Sequence, residues 1–305
     1  MTAATGMRAL AKRAVERTVV GTGLTALARR AHRREVVVLG YHNIVPDGEP
    51  IVGDRSLHLP QREFAAQLDI LGETHDVIAL TELLARDAAS TSRPAAVITF
   101  DDGYRGAATA GAAELARRGM AATMFVPPAF VGDGTFWWDA CAIDGDRGAF
   151  RQLALTVCRG EDAKVRAEAK RRGITERAVP AHARCATPEE LREAAGAIAI
   201  GSHSWSHPNL ALLPPETLRD ELTRPIDWLR TELGGFVPWL AYPYGKTSAH
   251  VQAVARESGY EGALLIEGGW TTRPPRNHHA VPRLDVPGEV SRDGFAMRIA
   301  GLVAG

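Results

Sequence analysis

From Glu35 onward, short apolar runs alternate with helical patterns, and this alternation restricts the fold more than any other feature of the sequence. Glu35-Val36-Val37-Val38-Leu39-Gly40 is β-branched and nearly continuous, the signature of a strand covered on both faces. Comparable runs predict strands over 77–80, 95–100, 122–126, 197–202, 240–242, 262–266 and 281–285. Between them, Pro60 opens a helical pattern with Phe64, Leu68 and Leu71 on one face, and a helix over 107–118 ends at Gly119. A long helix is predicted over 215–233, with Pro225 expected to kink it. Strand–helix alternation argues for parallel β-α units, in a barrel or in an open doubly wound sheet. Neither a G-x-G-x-x-G nor a G-x-x-x-x-G-K-[ST] pattern occurs, so nothing recommends a nucleotide-binding sheet.

The polar residues sharpen the choice, because several follow strands directly. Val97-Ile98-Thr99-Phe100 runs into Asp101-Asp102-Gly103-Tyr104, and the first strand runs into Tyr41-His42. The run over 197–202 leads to His203 and His207, and another leads to Tyr242-Pro243-Tyr244-Gly245. In a barrel, chemistry gathers where strands exit into loops. Two carboxylates at one exit can divide labour, one ligating a metal and the other taking a proton from water. Histidines four apart share a face on a helical turn, which is metal-ligand spacing. With Asp102 they make a two-histidine, one-carboxylate set suited to Zn²⁺, and Co²⁺, Fe²⁺, Mn²⁺ or Ni²⁺ can use the same donors.

Length and composition bound the remaining questions. The 305 residues suffice for a large α/β domain, and 45% hydrophobic with 24% charged residues is ordinary for a globular protein. A formal net charge of zero supplies no global field for nucleic acid, and none is expected as a partner. Cys141, Cys158 and Cys185 are odd in number and widely spaced, which reads as buried thiols and not as a disulfide framework or zinc cage. Residues 1–34 form a basic helical extension before a domain at 35–305, which carries a helical insertion at about 142–184. An uncharged run follows Arg8, Lys12, Arg13 and Arg17, so a signal peptide ending near Ala26-Leu27-Ala28 is one reading. Its threonines and glycines, with Glu16 just before it, favour a basic amphipathic helix on the body or against a membrane surface.

T-F-D-D-G-Y at 99–104, H-S-x-x-H at 203–207 and A-Y-P-Y-G at 241–245, in this order, resemble the polysaccharide deacetylases of carbohydrate esterase family four. The likeness extends to Y-H-N-I at 41–44, F-W-W-D at 136–139 and P-R-L-D-V at 282–286, and leaves out 1–35 and 142–184. It implies a distorted, incomplete (β/α) barrel of about seven strands that removes acetyl groups, mostly from N-acetylated sugars, with a divalent metal. Carried over by motif, Asp102, His203 and His207 bind the metal and Asp101 is the general base. The backbone N–H of Tyr104 helps to stabilise the oxyanion, and Pro243 with Tyr244 lines the acetyl pocket.

Two departures matter. The family's third motif carries a base-orienting arginine two residues before its proline, where this chain has Ala241. Arg283 can substitute from a later strand, or it is an ordinary loop arginine. The family's late histidine, its general acid, is missing after 281–286; a subgroup with the Y-H-x-I motif supplies it from the first strand, which points to His42. His278 and His279 lie in a Pro/Arg/Asn loop and read as solvated, while His58, His75, His182 and His250 stay unassigned. Trp137 and Trp138 fit sugar stacking and core packing equally.

The leading expectation is a metal-dependent hydrolase removing an N-acetyl group from an amino-sugar polysaccharide, oligosaccharide or glycolipid. The alternatives are O-deacetylation or cleavage of another small acyl group, and a sugar-binding protein without catalysis. The weak export signal favours a cytoplasmic or peripherally membrane-associated protein over a secreted one.

Overall fold

The computed structural model describes residues 3–85, 93–141 and 147–303. Its strands, in chain order, are β1 (Glu35–Tyr41), β2 (Asn43–Val45), β3 (His58–Pro60), β4 (Asp76–Val77), β5 (Ala95–Phe100) and β6 (Ala122–Val126), followed by β7 (Ile198–Ser202), β8 (Trp239–Ala241), β9 (Gly262–Gly268), β10 (Trp270–Thr272) and β11 (Val281–Asp285). Seven of them, in the order β1-β11-β9-β8-β7-β6-β5, form a parallel ring, and pairing of β5 with β1 closes it. The fold is therefore the expected seven-stranded (β/α) barrel.

Its distortion lies in unequal seams. Six residue pairs join β1 to β5, whereas Ser202↔Leu240 alone joins β7 to β8. The edge of β1 is shared, with its first residues pairing antiparallel to β10 and Leu39 and Gly40 pairing with β11. The periodicity gave no warning of β10, a three-residue strand that follows a turn at Gly268 and Gly269. Both glycines have positive φ, which glycine adopts without a Cβ penalty.

Strand alternation sorts the core into two layers. Val36, Val38, Val97, Phe125, Trp239, Leu264 and Val281 fill the inside of the ring. Val37, Leu39, Ile98, Phe100 and Met124 point outward and pack with Phe64, Leu68, Leu71 and Leu115. The same parity carries Thr99, Asp101 and Arg283 to the inner side, above the apolar plug.

The helix Pro215–Leu233 runs without a break through Pro225. Of the predicted insertion, 142–146 lie outside the described residues. The rest supplies helices Arg147–Thr156 and Asp162–Arg171, whose Phe150, Ala154, Val165 and Ala169 join the main core together with Cys158 from the turn between them. All three cysteines are buried and unpaired, as expected. Residues Ala3–Gly21 and Leu24–Ala31 are helical, and the first helix lies on Arg292–Arg298. There Ser291 Oγ donates to Glu16 and accepts from Gly294 N–H, capping that helix.

The segment after Asp101-Asp102 packs with no tolerance against β2. A Cβ added to Gly106 would lie 2.1 Å from Ile44 O and 2.5 Å from Asn43 Oδ1. Gly106→Ala should therefore cost about 1–3 kcal/mol of stability, the usual range for overpacking, measured by urea unfolding. An unchanged midpoint would show that β2 yields freely.

Candidate active site

Neighbouring strand residues point to opposite faces, so Asp101 and Asp102 can share a site only if the backbone turns between them. Asp101 still follows the strand, its N–H donating to Tyr41 O at 2.9 Å. Asp102 and Gly103 then adopt left-handed conformations, φ 70° and 66°. Gly103 turns without strain because it has no Cβ; the strain falls on Asp102 itself.

His203 and His207 converge by a different route from the one their spacing suggested. Residues 203–207 are not helical, and Ser204 and His207 have φ of 61° and 59°. These two left-handed turns replace the helical i, i+4 relation. The result is a compact triangle. His207 Nε2 lies 3.1 Å from both His203 Nε2 and Asp102 Oδ1, and His203 Nε2 lies 3.4 Å from Asp102 Oδ1. Ligands bound at zinc's usual distances in a tetrahedral site lie about 3.3 Å apart, so the donor set fits that ion.

The surroundings agree with that fit. His203 Nδ1 is 2.8 Å from Ala241 O, which fixes the proton there and leaves the Nε2 lone pair facing the triangle. Asp102 Oδ1 is buried without a hydrogen-bond donor. Burial raises the Asp102 pKa, but His203 and His207 outweigh it and hold the carboxyl far below its usual range. Burial lowers the pKa of both histidines; for His203 the fields of Asp101 and Asp102 reverse the sign. The site's potential thus favours a cation.

Arg283 proves to be the arginine on the candidate base. Fully buried, it reaches Asp101 with two parallel bonds, Nη1 to Oδ1 at 2.7 Å and Nη2 to Oδ2 at 2.6 Å. Its Nε donates to Leu265 O, and Nη1 also donates to Thr99 Oγ1 at 3.1 Å. Burial raises the Asp101 pKa; Arg283, His203 and His42 overcome it, and the net shift is downward. His42, at the exit of β1, lies in the field of Asp101, Asp102 and Asp285. Sequence reasoning overlooked Asp285, which pairs in register with Gly40, two residues before His42.

The aromatic cluster forms the wall behind these groups. Trp137 and Trp138 are only 3% and 7% exposed and pack into this wall, the second of the two roles their chemistry allows. Trp138 stacks on Phe136 and borders the His207 ring at 5.0 Å, and Tyr244 meets that ring edge-on at 4.6 Å. Trp137 Nε1 donates to Tyr244 Oη at 3.2 Å. Pro243 is buried before Tyr244, whose own φ is 57°. The insertion supports this wall, because Gly160 O accepts from Tyr244 Oη and Arg159 O accepts from Asn209 N–H.

Tyr104 is held from two sides. Its backbone N–H turns away from Cys185, since the bridge between them is bonded through Arg105 N–H to Arg184 O and Ala186 N–H to Gly103 O. Its hydroxyl donates to Asp139 Oδ2 at 2.7 Å and accepts from Trp138 Nε1 at 2.8 Å. Asp139 Oδ1 faces His58 Nε2 at 2.9 Å, and Asn43 Nδ2 lies 3.0 Å from His58 Nδ1 and 3.2 Å from His182 Nδ1. His182 Nε2 meets Pro50 O at 3.0 Å. Asp139 and Pro50 O can only accept, so both histidines carry their proton on Nε2 and the Asn43 amide donates twice. No sequence signal marked His58 and His182, because their partners are distant in the chain. His279 is buried as well, contrary to the solvated reading, with Nε2 2.9 Å from Tyr260 O.

The model of the polysaccharide deacetylase family matches residues 88–263. The deacetylase PplD of Streptococcus pyogenes, solved with acetate, superposes with a TM-score of 0.61 at 15% identity, covering 87% of this chain and 98% of that one. IcaB of Ammonifex degensii gives 0.60 at 19%, covering 88% and 97%. A polysaccharide deacetylase of Bacillus cereus gives 0.62 at 18%, covering 87% and 69%. No curated protein matches the sequence.

Asp139→Ala would strand the Tyr104 hydroxyl and the His58 Nε2–H in a dry interior. A loss of at least about 2 kcal/mol is expected in denaturant unfolding, from two unsatisfied buried donors. A variant as stable as the parent would mean that water reaches both groups.

Proposed function

Because this chain belongs to the polysaccharide deacetylase family and is a carbohydrate deacetylase, we propose that it removes an N-acetyl group from an amino-sugar substrate by metal-dependent hydrolysis. One observation carries this reading. Asp101, paired to Arg283, lies beside a metal-fitting triangle, its Oδ2 4.0 Å from His203 Nε2. Asp102, His203 and His207 would hold the ion, with Zn²⁺ the best fit to two imidazoles and a carboxylate. Bound there, it would polarise the acetyl carbonyl and acidify water.

The protein's own groups supply the rest. Asp101, kept ionised by Arg283, accepts a proton from the attacking water, and the Arg283 fork fixes the direction of its lone pairs. The backbone N–H of Tyr104 donates to the oxygen that gains charge. His42, at the exit of the neighbouring strand β1 and in the field of Asp285, returns a proton to the leaving nitrogen. Tyr244 and Trp138 exclude water from the His207 side. Residues 1–34 provide a peripheral membrane contact.

The direct test is acetate release from N-acetylglucosamine oligomers by zinc-loaded protein beside Asp101→Asn. Loss of a general base should slow the reaction at least about 100-fold. Equal rates would remove Asp101 from the mechanism, and release from O-acetylated sugars alone would make the protein an esterase. A second measurement addresses Arg283. Arg283→Met keeps much of the volume and deletes the charge that lowers the Asp101 pKa, so that pKa rises. The acid limb of the kcat/KM profile should move to higher pH; an unmoved limb would mean that Arg283 does not tune the base.

A further inference from the structure

The N-terminal helices present an apolar surface on their outward side. Eight large hydrophobic side chains are strongly exposed among the described residues, and six of them, Leu10, Val15, Leu24, Leu27, Leu302 and Val303, belong to these helices and the C-terminal tail. On the first helix Leu10, Ala11, Ala14, Val15 and Thr18 fall within an arc of about 140°, at 100° per residue. All five are exposed, and no charged residue interrupts them. Arg13 and Arg17 flank one side of the arc and Lys12 the other. Among the helix residues whose side chains are described, Glu16 is the charge that faces inward, engaged by Ser291. The second helix repeats the pattern, with Leu24, Leu27 and Ala31 exposed along one stripe and Arg30, Arg33 and Arg34 exposed beside it. Val303 and Val15 border the same groove, so the tail extends the apolar surface.

Charge identifies what covers it. Residues 1–34 contain eight Lys and Arg against one Glu, while the remaining chain has 28 basic and 35 acidic residues. The zero net charge therefore conceals a strongly basic extension on an acidic body. An apolar arc bordered by arginines is the surface of a helix lying in the plane of an anionic lipid interface. A partner resembling this protein's own acidic body would satisfy the arginines but would offer no matching apolar surface.

We propose that residues 3–34 dock the protein on an anionic bilayer, with Leu10, Val15, Leu24 and Leu27 entering the interface and the arginines among the phosphates. This names the surface behind the membrane contact proposed above and rests on that reading alone, independent of the deacetylase chemistry. It also sets orientation. Arg13 and Arg17 line a groove of about 790 Å³ together with Arg55, Arg62 and Arg292. The last three lie in segments at the end of the barrel where the catalytic side chains emerge. Docking therefore brings the mouth of the active site alongside the headgroups, where a glycan linked to lipid would present its sugars.

The test is co-sedimentation of the full-length protein with vesicles of phosphatidylglycerol and phosphatidylcholine, or of phosphatidylcholine alone, at low and high salt. Binding to the anionic vesicles should exceed binding to the neutral ones at least 10-fold and weaken with salt. Arg13→Gln with Arg17→Gln should reduce it about 10- to 30-fold, and Leu10→Ser with Leu27→Ser should abolish it. Acetate release from soluble oligosaccharides should be unchanged in both variants, which keeps this outcome separate from that of the deacetylase assay. Absence of binding, or equal binding to neutral vesicles, would overturn the proposal. So would concentration-dependent dimerisation lost in the leucine variant, because a second copy would then be what covers this surface.

Discussion

The two-bonded pair between Arg283 and Asp101 is the interaction on which the rest of the site depends. Two adjacent carboxylates, 3% and 2% exposed, repel each other in a low-dielectric mouth and would tend to protonate. A fully buried guanidinium beside one of them reverses that tendency for Asp101. Burying such a pair is expensive unless every donor is used. Here Leu265 O and Thr99 Oγ1 take two further donors, so four of the five guanidinium N–H groups are used. Arg283 reaches Asp101 only because β11 joins β1 in the closing ring. Closure of the barrel and ionisation of the candidate base are thus one structural event.

Asp102 meets the same repulsion in a different way. Its Oδ1 lies 3.4 Å and 3.1 Å from the Nε2 atoms of His203 and His207, an arrangement of three donor atoms that a bound cation would satisfy. Holding these atoms together takes backbone conformations that non-glycine residues avoid. Asp102, Ser204, His207 and Tyr244 all have positive φ, and all line this mouth. Such strain persists only where the surroundings over-determine it. The Trp138–His207–Tyr244 packing and the Tyr104–Asp139–His58–Asn43 chain provide that restraint, and the insertion braces the outer wall through Gly160.

Much of the active centre was legible because its residues are local in sequence. D-D-G-Y at a strand exit and H-S-x-x-H after another strand say little singly; taken together, and with A-Y-P-Y-G, they carry the resemblance that names a candidate metal-and-base set. Other features were hidden for identifiable reasons. Alternation places Arg283 on the inner face of its strand, yet nothing in periodicity selects its partner 182 residues away. Trp137 and Trp138 have the same amphipathic chemistry whether they stack on sugar or on Phe136, so only packing could decide. His58 and His182 appeared isolated because Asp139 and Asn43 approach them across the fold. Zero net charge obscured the polarity between residues 1–34 and the body, which emerges once the chain is divided where the fold divides it.

The sequence by itself determined the parallel strand–helix architecture, the four residues of the candidate metal-and-base set, and the basic character of the N-terminal extension. The first and third are encoded by periodicity and composition within short windows, and the second by short motifs that resemble those of a known family. Tertiary structure alone decided which arginine holds the base, that left-handed turns and not a helix bring the histidines together, that the tryptophans pack into the wall beside His207, and which side of the first helix faces outward. These outcomes depend on strand register and ring closure, and on side chains that meet only when the chain has returned to β1.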